Sequence, residues 1–318
     1  MDSAIEILGI TGPIYLAIAL GYMATRRGLF TKADMPVFGK FTIHIALPAL
    51  LFNALSQRSV GEILNVQYLG AYAAGSLLVI GLGLWWARKV QGHSLSYSSM
   101  MAMGMSCPNS GFVGYPIMLL TLGAPVAGVA LALNMMVENL LLIPLLLAVA
   151  DSGGAAAGRW QQVLRQTLVS LVRNPMIWGI VIGFVYAMSG LHLPAPLART
   201  VNLFASASGA LSLFVIGGSL VGLKAEGLKG TVSQIAFGKL VLHPLVLVAV
   251  LLWVFPVSDP ALRQAALLTS ALPMLGIYTI LSQRHGHGTI SAATLLVTTV
   301  ASFFTLSAVL WLLRHYPV

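Results

Sequence analysis

The 318-residue chain reads as an all-α polytopic membrane protein. Ten transmembrane helices are predicted as a 5+5 inverted repeat, with crossing broken helices at the fourth and ninth spans. Three observations predict this. Hydrophobic residues make up 58% of the chain and charged residues only 8%, with mean hydropathy +0.91, whereas soluble domains carry about 25% charged residues. Apolar segments near the ~20-residue crossing length recur along the chain. The lysines and arginines also separate by side when the segments between those spans are counted alternately.

In order, the apolar segments are Leu8 to Ala24, Met35 to Leu55, Tyr68 to Ala87, Tyr97 to Leu122 and Pro125 to Val149, then Pro175 to Ser189, Val201 to Val221, Val232 to Phe255, Leu262 to Gln283 and Ile290 to Leu313. The start, Met1-Asp2-Ser3-Ala4-Ile5-Glu6, is acidic and lacks the positive n-region of a signal peptide, so the first segment is expected to stay as a span. The longest polar stretch, Asp151 to Asn174, divides the chain into a first repeat over 1–150 and a second over 175–318. It carries the small-residue run Ser152-Gly153-Gly154-Ala155-Ala156-Ala157-Gly158, which reads as a flexible cytoplasmic linker.

Of the 17 Lys and Arg residues, all but four fall on one side of the predicted spans; the four are Arg58, Arg199, Arg263 and Arg314. The positive-inside rule places the larger set in the cytoplasm and both termini outside, on the periplasmic face of an inner membrane if the cell is Gram-negative. The net charge of +9 is thus a topology signal, and nucleic-acid binding is discarded. The single cysteine, Cys107, excludes an intramolecular disulfide and a cysteine-clustered metal site.

Two copies of a unit with an odd number of spans must sit in the membrane with opposite orientation. Weak internal matches fit that. At a shift of 162, Pro13 aligns with Pro175, Gly21 with Gly183 and Gly28-Leu29 with Gly190-Leu191; at 165, Pro108 aligns with Pro273 and Gly111 with Gly276.

The fourth span contains Ser106-Cys107-Pro108-Asn109-Ser110-Gly111-Phe112-Val113-Gly114-Tyr115-Pro116, and the ninth contains Ser270-Ala271-Leu272-Pro273-Met274-Leu275-Gly276-Ile277-Tyr278. Proline removes a helix hydrogen bond and glycine weakens helix propensity. In lipid an unpaired backbone group costs several kcal/mol, so a break survives only inside protein or beside a water-filled cavity. Matched breaks in two halves mark the midplane site of secondary transporters. Half-helix N-termini there suit an anion such as a carboxylate, and unwound carbonyls suit a cation. The bland alternative is a pair of kinks that only shape the bundle. On the functional reading, Pro108, Asn109, Ser110, Gly111, Pro273, Met274 and Tyr278 border the substrate.

Other polar residues inside spans are costly and therefore informative. Asn134 and Glu138, four apart, share a face of the fifth span. Glu138 is either a proton-coupling carboxylate, the counter-ion of a buried lysine, or half of a structural pair. Asn53 and Asn202 either line the cavity or make a plain interhelical hydrogen bond. Two Lys-x-x-x-His pairs recur, Lys40 with His44 and Lys239 with His243. Snorkelling to the cytoplasmic face is the default for both lysines; in the alternative, Lys239 attracts an anionic substrate or neutralises Glu138. His243 is either a proton switch or a hydrogen-bonded core residue. Arg284-His285-Gly286-His287 reads as a cytoplasmic loop, without the further ligands a metal needs. No catalytic constellation and no phosphate-cradling loop is present, so neither an enzyme nor a cofactor is expected.

On the Cys107-to-Pro116 run, on Lys239-Leu240-Val241-Leu242-His243-Pro244 and on the ninth-span break at Pro273, the chain resembles the auxin efflux carrier family of secondary transporters, which includes bacterial permeases for malonate or malate. The resemblance covers essentially the whole chain. It implies an elevator-type carrier, similar in plan to sodium/proton antiporters and bile-acid transporters, with scaffold and transport domains each drawn from both repeats. It also implies a homodimer joined through scaffold helices. Carried over by position, the fourth-span run, Asn134 and Pro273 would bound the substrate. The long central cytoplasmic loop of the plant carriers is here only the Asp151-to-Asn174 linker.

The expected function is secondary active or facilitative transport of a small organic anion, a mono- or dicarboxylate such as malonate or malate or an auxin-like acid, with H+ or Na+ as the coupling ion if there is one. A cation/proton antiporter of similar plan is a rival, although it would need more than one deep carboxylate. A receptor that binds its ligand without moving it is the other.

Overall fold

The computed structural model describes residues 2–58, 61, 64–152, 160–191, 193–223 and 229–315. Every regular element among them is helical. In chain order they are α1 (Asp2–Arg26), α2 (Met35–Leu55), α3 (Val66–Val90), α4 (Leu95–Ser106), α5 (Ser110–Leu122), α6 (Ala124–Ser152), α7 (Trp160–Arg173), α8 (Pro175–Ser189), α9 (Ala195–Ser219), α10 (Gly230–Trp253), α11 (Pro260–Ser270), α12 (Tyr278–Arg284) and α13 (Gly288–His315). Seven of these contain a stretch long and apolar enough to cross a membrane: α1, α2, α3, α6, α9, α10 and α13. The chain is a polytopic helical membrane protein.

The apolar segments read from the sequence fall on these helices. Two of them are interrupted: α4 and α5 share the fourth segment, and α11 and α12 share the ninth. The seventh helix of the reading begins earlier than expected, at Ala195, because Pro194 stops the chain from being helical before it and a further proline follows in the first turn. The second part of the Asp151–Asn174 stretch is also helical, as α7; the small-residue run from Gly153 to Gly158 lies outside the described residues.

A proline rule shapes the interiors of four helices. Pro48, Pro116, Pro144 and Pro244 each stand two residues after a π-helical turn, over Thr42–Ala46, Ser110–Gly114, Glu138–Leu142 and Gly238–Leu242 respectively. Proline offers no N–H to the carbonyl four residues back and its ring crowds that carbonyl. The preceding turn therefore widens to i→i−5 bonds: Leu47 N–H to Thr42 O, Ile143 N–H to Glu138 O and His243 N–H to Gly238 O. Such π-bulges cluster at functional sites, and here they hold Ser110, Glu138 and Lys239.

The helices group into two compact units, each drawn from both halves of the chain. The first comprises residues 1–66, 111–135 and 171–222. Within it α1 packs along α9, and α2 packs on α8 and α9. Small residues permit the close approach. A Cβ at Gly217 would collide with the backbone oxygen of Ile18, and one at Gly179 would sit 2.7 Å from that of Pro48. Phe30, Phe38 and Phe214 seal one end edge to face, with ring centroids 5.2–6.1 Å apart. The second unit comprises 67–110, 136–170 and 223–318. There α4 packs on the second part of α6, where Ser99 Oγ–H donates to Leu146 O at 2.5 Å.

Gly217→Ala is expected to destabilise the protein by about 1–3 kcal/mol, because the methyl group overpacks against backbone that cannot rotate away. Gly81→Ala, where a Cβ meets nothing within 4 Å, should be neutral or slightly stabilising through helix propensity. Thermal unfolding of both variants in detergent checks the contrast.

Candidate functional site

The second unit brings the two helix breaks together. α4 ends at Ser106, and Cys107 turns extended at φ −88°, ψ 112°. α11 ends at Ser270, and the chain stays irregular until α12 opens at Tyr278. Between these ends Pro108 and Met274 face each other as a short antiparallel pair. Asn109 N–H donates to Pro273 O at 2.9 Å, and Leu275 N–H donates to Cys107 O at 2.9 Å. Each break thus supplies the hydrogen bonds the other lacks, which is the condition for non-helical backbone at membrane depth. The prolines sit where no N–H is asked of them.

The packing around this pair leaves little slack. Asn109 is 4% exposed, and Cys107 and Met274 are fully buried. A Cβ on Gly104 would lie 2.6 Å from Ile235 and 3.0 Å from the Met274 methyl. A Cβ on Gly276 would meet the Asn109 amide nitrogen at 3.4 Å. Tyr278 is buried at the start of α12, its N–H on Leu275 O at 3.1 Å.

A buried polar chain flanks the crossing. Ser110 Oγ–H donates to Glu138 Oε1 at 2.5 Å, and Tyr72 O–H donates to the same oxygen at 2.9 Å. The Tyr72 ring stacks on His243, centroids 6.5 Å apart and planes 21° from parallel. His243 Nε2 meets Ser76 Oγ at 3.2 Å and its Nδ1 meets Lys239 Nζ at 3.0 Å. Lys239 Nζ also donates to Ser270 O at 2.7 Å. When Lys239 is protonated it can only donate, and His243 Nδ1 then accepts while Nε2 carries the proton toward Ser76. Ser270 O lies at the C-terminal end of α11, the end of a helix dipole that favours a positive charge.

Lys40 is exposed, with His44 Nδ1 on Lys40 O at 3.0 Å. Lys239 does not snorkel: it is fully buried, because Ser270 O and His243 receive its protons inside the unit. Its Nζ bonds to these two groups rather than to Glu138. In the loop after α12, His285 Nε2 meets Asp151 Oδ1 at 3.1 Å.

Other expected site residues belong to the first unit. Gly111 and the fully buried Asn134 are counted there, as is Asn53. Asn53 Nδ2 donates to Asn202 Oδ1 at 2.9 Å, and both line a cavity of about 480 Å³ with Gln57, Arg58 and Tyr186. Of the two alternatives, the interhelical hydrogen bond is present. Tyr72, Ser76 and Ser270 are members of the polar chain that sequence reasoning missed. A usable signal existed for its core: Ser110, Glu138 and Lys239 precede prolines by six, six and five residues, the spacing that places them on widened turns.

Fold and site define a polytopic membrane protein with a crossing of broken helices. The family model described as membrane transport protein matches residues 10–312, and the chain belongs to this family, that of the auxin efflux carriers. It is 29% identical over 318 residues to a protein of Rhizobium meliloti (strain 1021) named "Putative malonate transporter", covering 97% of this chain and 96% of that one. It is 26% identical over 302 residues to "Uncharacterized transporter YfdV" of Escherichia coli (strain K12), covering 94% and 95%.

Removing one donor from Glu138 by Tyr72→Phe is expected to cost about 1–3 kcal/mol of stability. Lys239→Met should cost more, since it strips two buried acceptors at once. Chemical denaturation of the purified variants tests the order, and equal, negligible effects would contradict the network.

Proposed function

We propose that this membrane transporter carries a small organic anion, a mono- or dicarboxylate of the malonate or malate kind, by secondary active or facilitative transport. The observation that carries the reading is the crossing of the two breaks beside a buried ammonium. α5 starts at the crossing, and the first turn of a helix presents N–H groups without intrahelical acceptors, an arrangement suited to a carboxylate. Pro108, Asn109, Ser110, Gly111 and Asn134 from one half of the chain, and Pro273, Met274 and Tyr278 from the other, are the proposed substrate-binding residues. Asn53 is proposed to meet the anion at its own cavity. The name of the Rhizobium relative supports the dicarboxylate class.

Lys239 is the proposed charge-compensating group. Its ammonium already occupies a carbonyl at the end of α11, where a coupling cation would otherwise find its ligands. Glu138, held by Ser110 and Tyr72 next to the crossing, is the proposed protonatable partner, with His243 positioning Lys239. In the ten-helix elevator plan, the unit that contains both breaks is the transport domain and the other is the scaffold. The existence of two units each drawn from both halves supports that division. The positive-inside count supports an inner-membrane orientation with both termini outside, and family resemblance supports a homodimer.

In proteoliposomes, labelled malonate or another short carboxylate is expected to show saturable flux that persists when sodium is replaced by potassium. Asn109→Ala and Pro273→Ala should each reduce it at least tenfold while the proteins remain folded. Wild-type flux in both variants would refute the site, and sodium-driven flux with no carboxylate requirement would refute the substrate class.

A further inference from the structure

The helix α7 plays no part in the transport reading, yet its composition is specific. Its 14 residues, Trp160 to Arg173, include Arg165 and Arg173 and no acidic residue. Leu168, Leu171 and Val172 lie within one arc of roughly 100° at helical spacing; Arg165 borders that arc beside Val172, and Val169, Arg173 and Ser170 follow in turn round the helix. Leu168, Val169 and Val172 are exposed at 53%, 41% and 64%. Among the described residues α7 has no extended packing against any other helix, which leaves Leu168 and Val172 exposed.

Its C-terminal end is fixed at a defined level. Asn174 follows directly and caps α8, accepting from Met176 N–H at 3.0 Å, and Pro175 opens that apolar helix. Trp178 in the first turn of α8 donates its indole N–H to Val172 O at 2.7 Å, the placement expected of an interfacial tryptophan. A helix that ends where an apolar helix enters the bilayer has the headgroup layer as its neighbour. Low overall hydrophobicity with strong segregation of apolar and basic residues is the signature of a helix lying in that layer.

We propose that α7 is an interfacial anchor for anionic lipid: its Leu168–Val172 side enters the acyl boundary, and Arg165 and Arg173 take lipid phosphates. The anchor joins the two halves of the chain and lies on the side of the larger basic set, where an anionic leaflet attracts basic segments.

Hydrogen exchange of the full chain in nanodiscs tests this. Amides of residues 160–173 are expected to exchange at least tenfold more slowly in phosphatidylglycerol-containing discs than in phosphatidylcholine discs. Arg165→Gln with Arg173→Gln should remove that difference, at about fivefold per arginine. Equal exchange in both lipids, or a difference that survives in the double variant, would overturn the proposal. Depth is read separately. A spin label on Leu168→Cys, with native Cys107 buried beyond the reagent, should be more accessible to oxygen than to a water-soluble nickel complex. The reverse order would place α7 in water and refute the anchor.

Discussion

Two backbone hydrogen bonds, Asn109 N–H to Pro273 O and Leu275 N–H to Cys107 O, are the constraint on which the second unit depends. Four helices, α4, α5, α11 and α12, end or begin within a few residues of them. Without this exchange each break would leave polar backbone unpaired in an apolar surrounding, at several kcal/mol per group. The sequence requires both breaks to occur together, since neither proline-interrupted segment can satisfy itself. This explains why the packing is tight at Gly104 and Gly276: side chains there would push the strands of the pair apart.

The same residue type acts a second way elsewhere. Four prolines leave the preceding turn of α2, α5, α6 and α10 one residue wide of α-helical register. A π-bulge is a local cost, and here it coincides with side chains that would otherwise be expensive to bury. Ser110, Glu138 and Lys239 all stand on widened turns, and all are joined to hydrogen-bond partners within the second unit. Buried charge is tolerable only when so satisfied. Glu138 accepts from two hydroxyls and Lys239 donates to a carbonyl and an imidazole, so each is compensated through dipoles instead of by a direct ion pair.

Much of the fold was legible in the sequence, because apolar length and proline position are local properties. The segments and the breaks at Pro108 and Pro273 follow from runs of residues and need no tertiary information. Lys239 was not legible in the same way. One or two turns from a span end, a lysine ordinarily reaches for water, and only the three-dimensional meeting with Ser270 O and His243 keeps it inside. Tyr72 and Ser76 look like ordinary helix residues; their role comes from what α6 and α10 place opposite them. α7 was hidden by the small-residue run before it, although its own period was readable. Asn134 and Glu138, read as one face of one helix, are counted in different units, since compactness is set by contacts and not by chain proximity.

On the proposed reading the anion sits at the crossing, against the Asn109 amide. Family membership establishes transport, and the crossing supports the charge of the cargo. The most direct test is a distance measurement on the bound state. Solid-state NMR dephasing between carboxyl-13C malonate and 15N-labelled asparagine side chains in reconstituted protein should show a contact that vanishes in Asn109→Ala. Dephasing that persists unchanged in Asn109→Ala, or none at all under conditions where malonate is transported, would contradict the account.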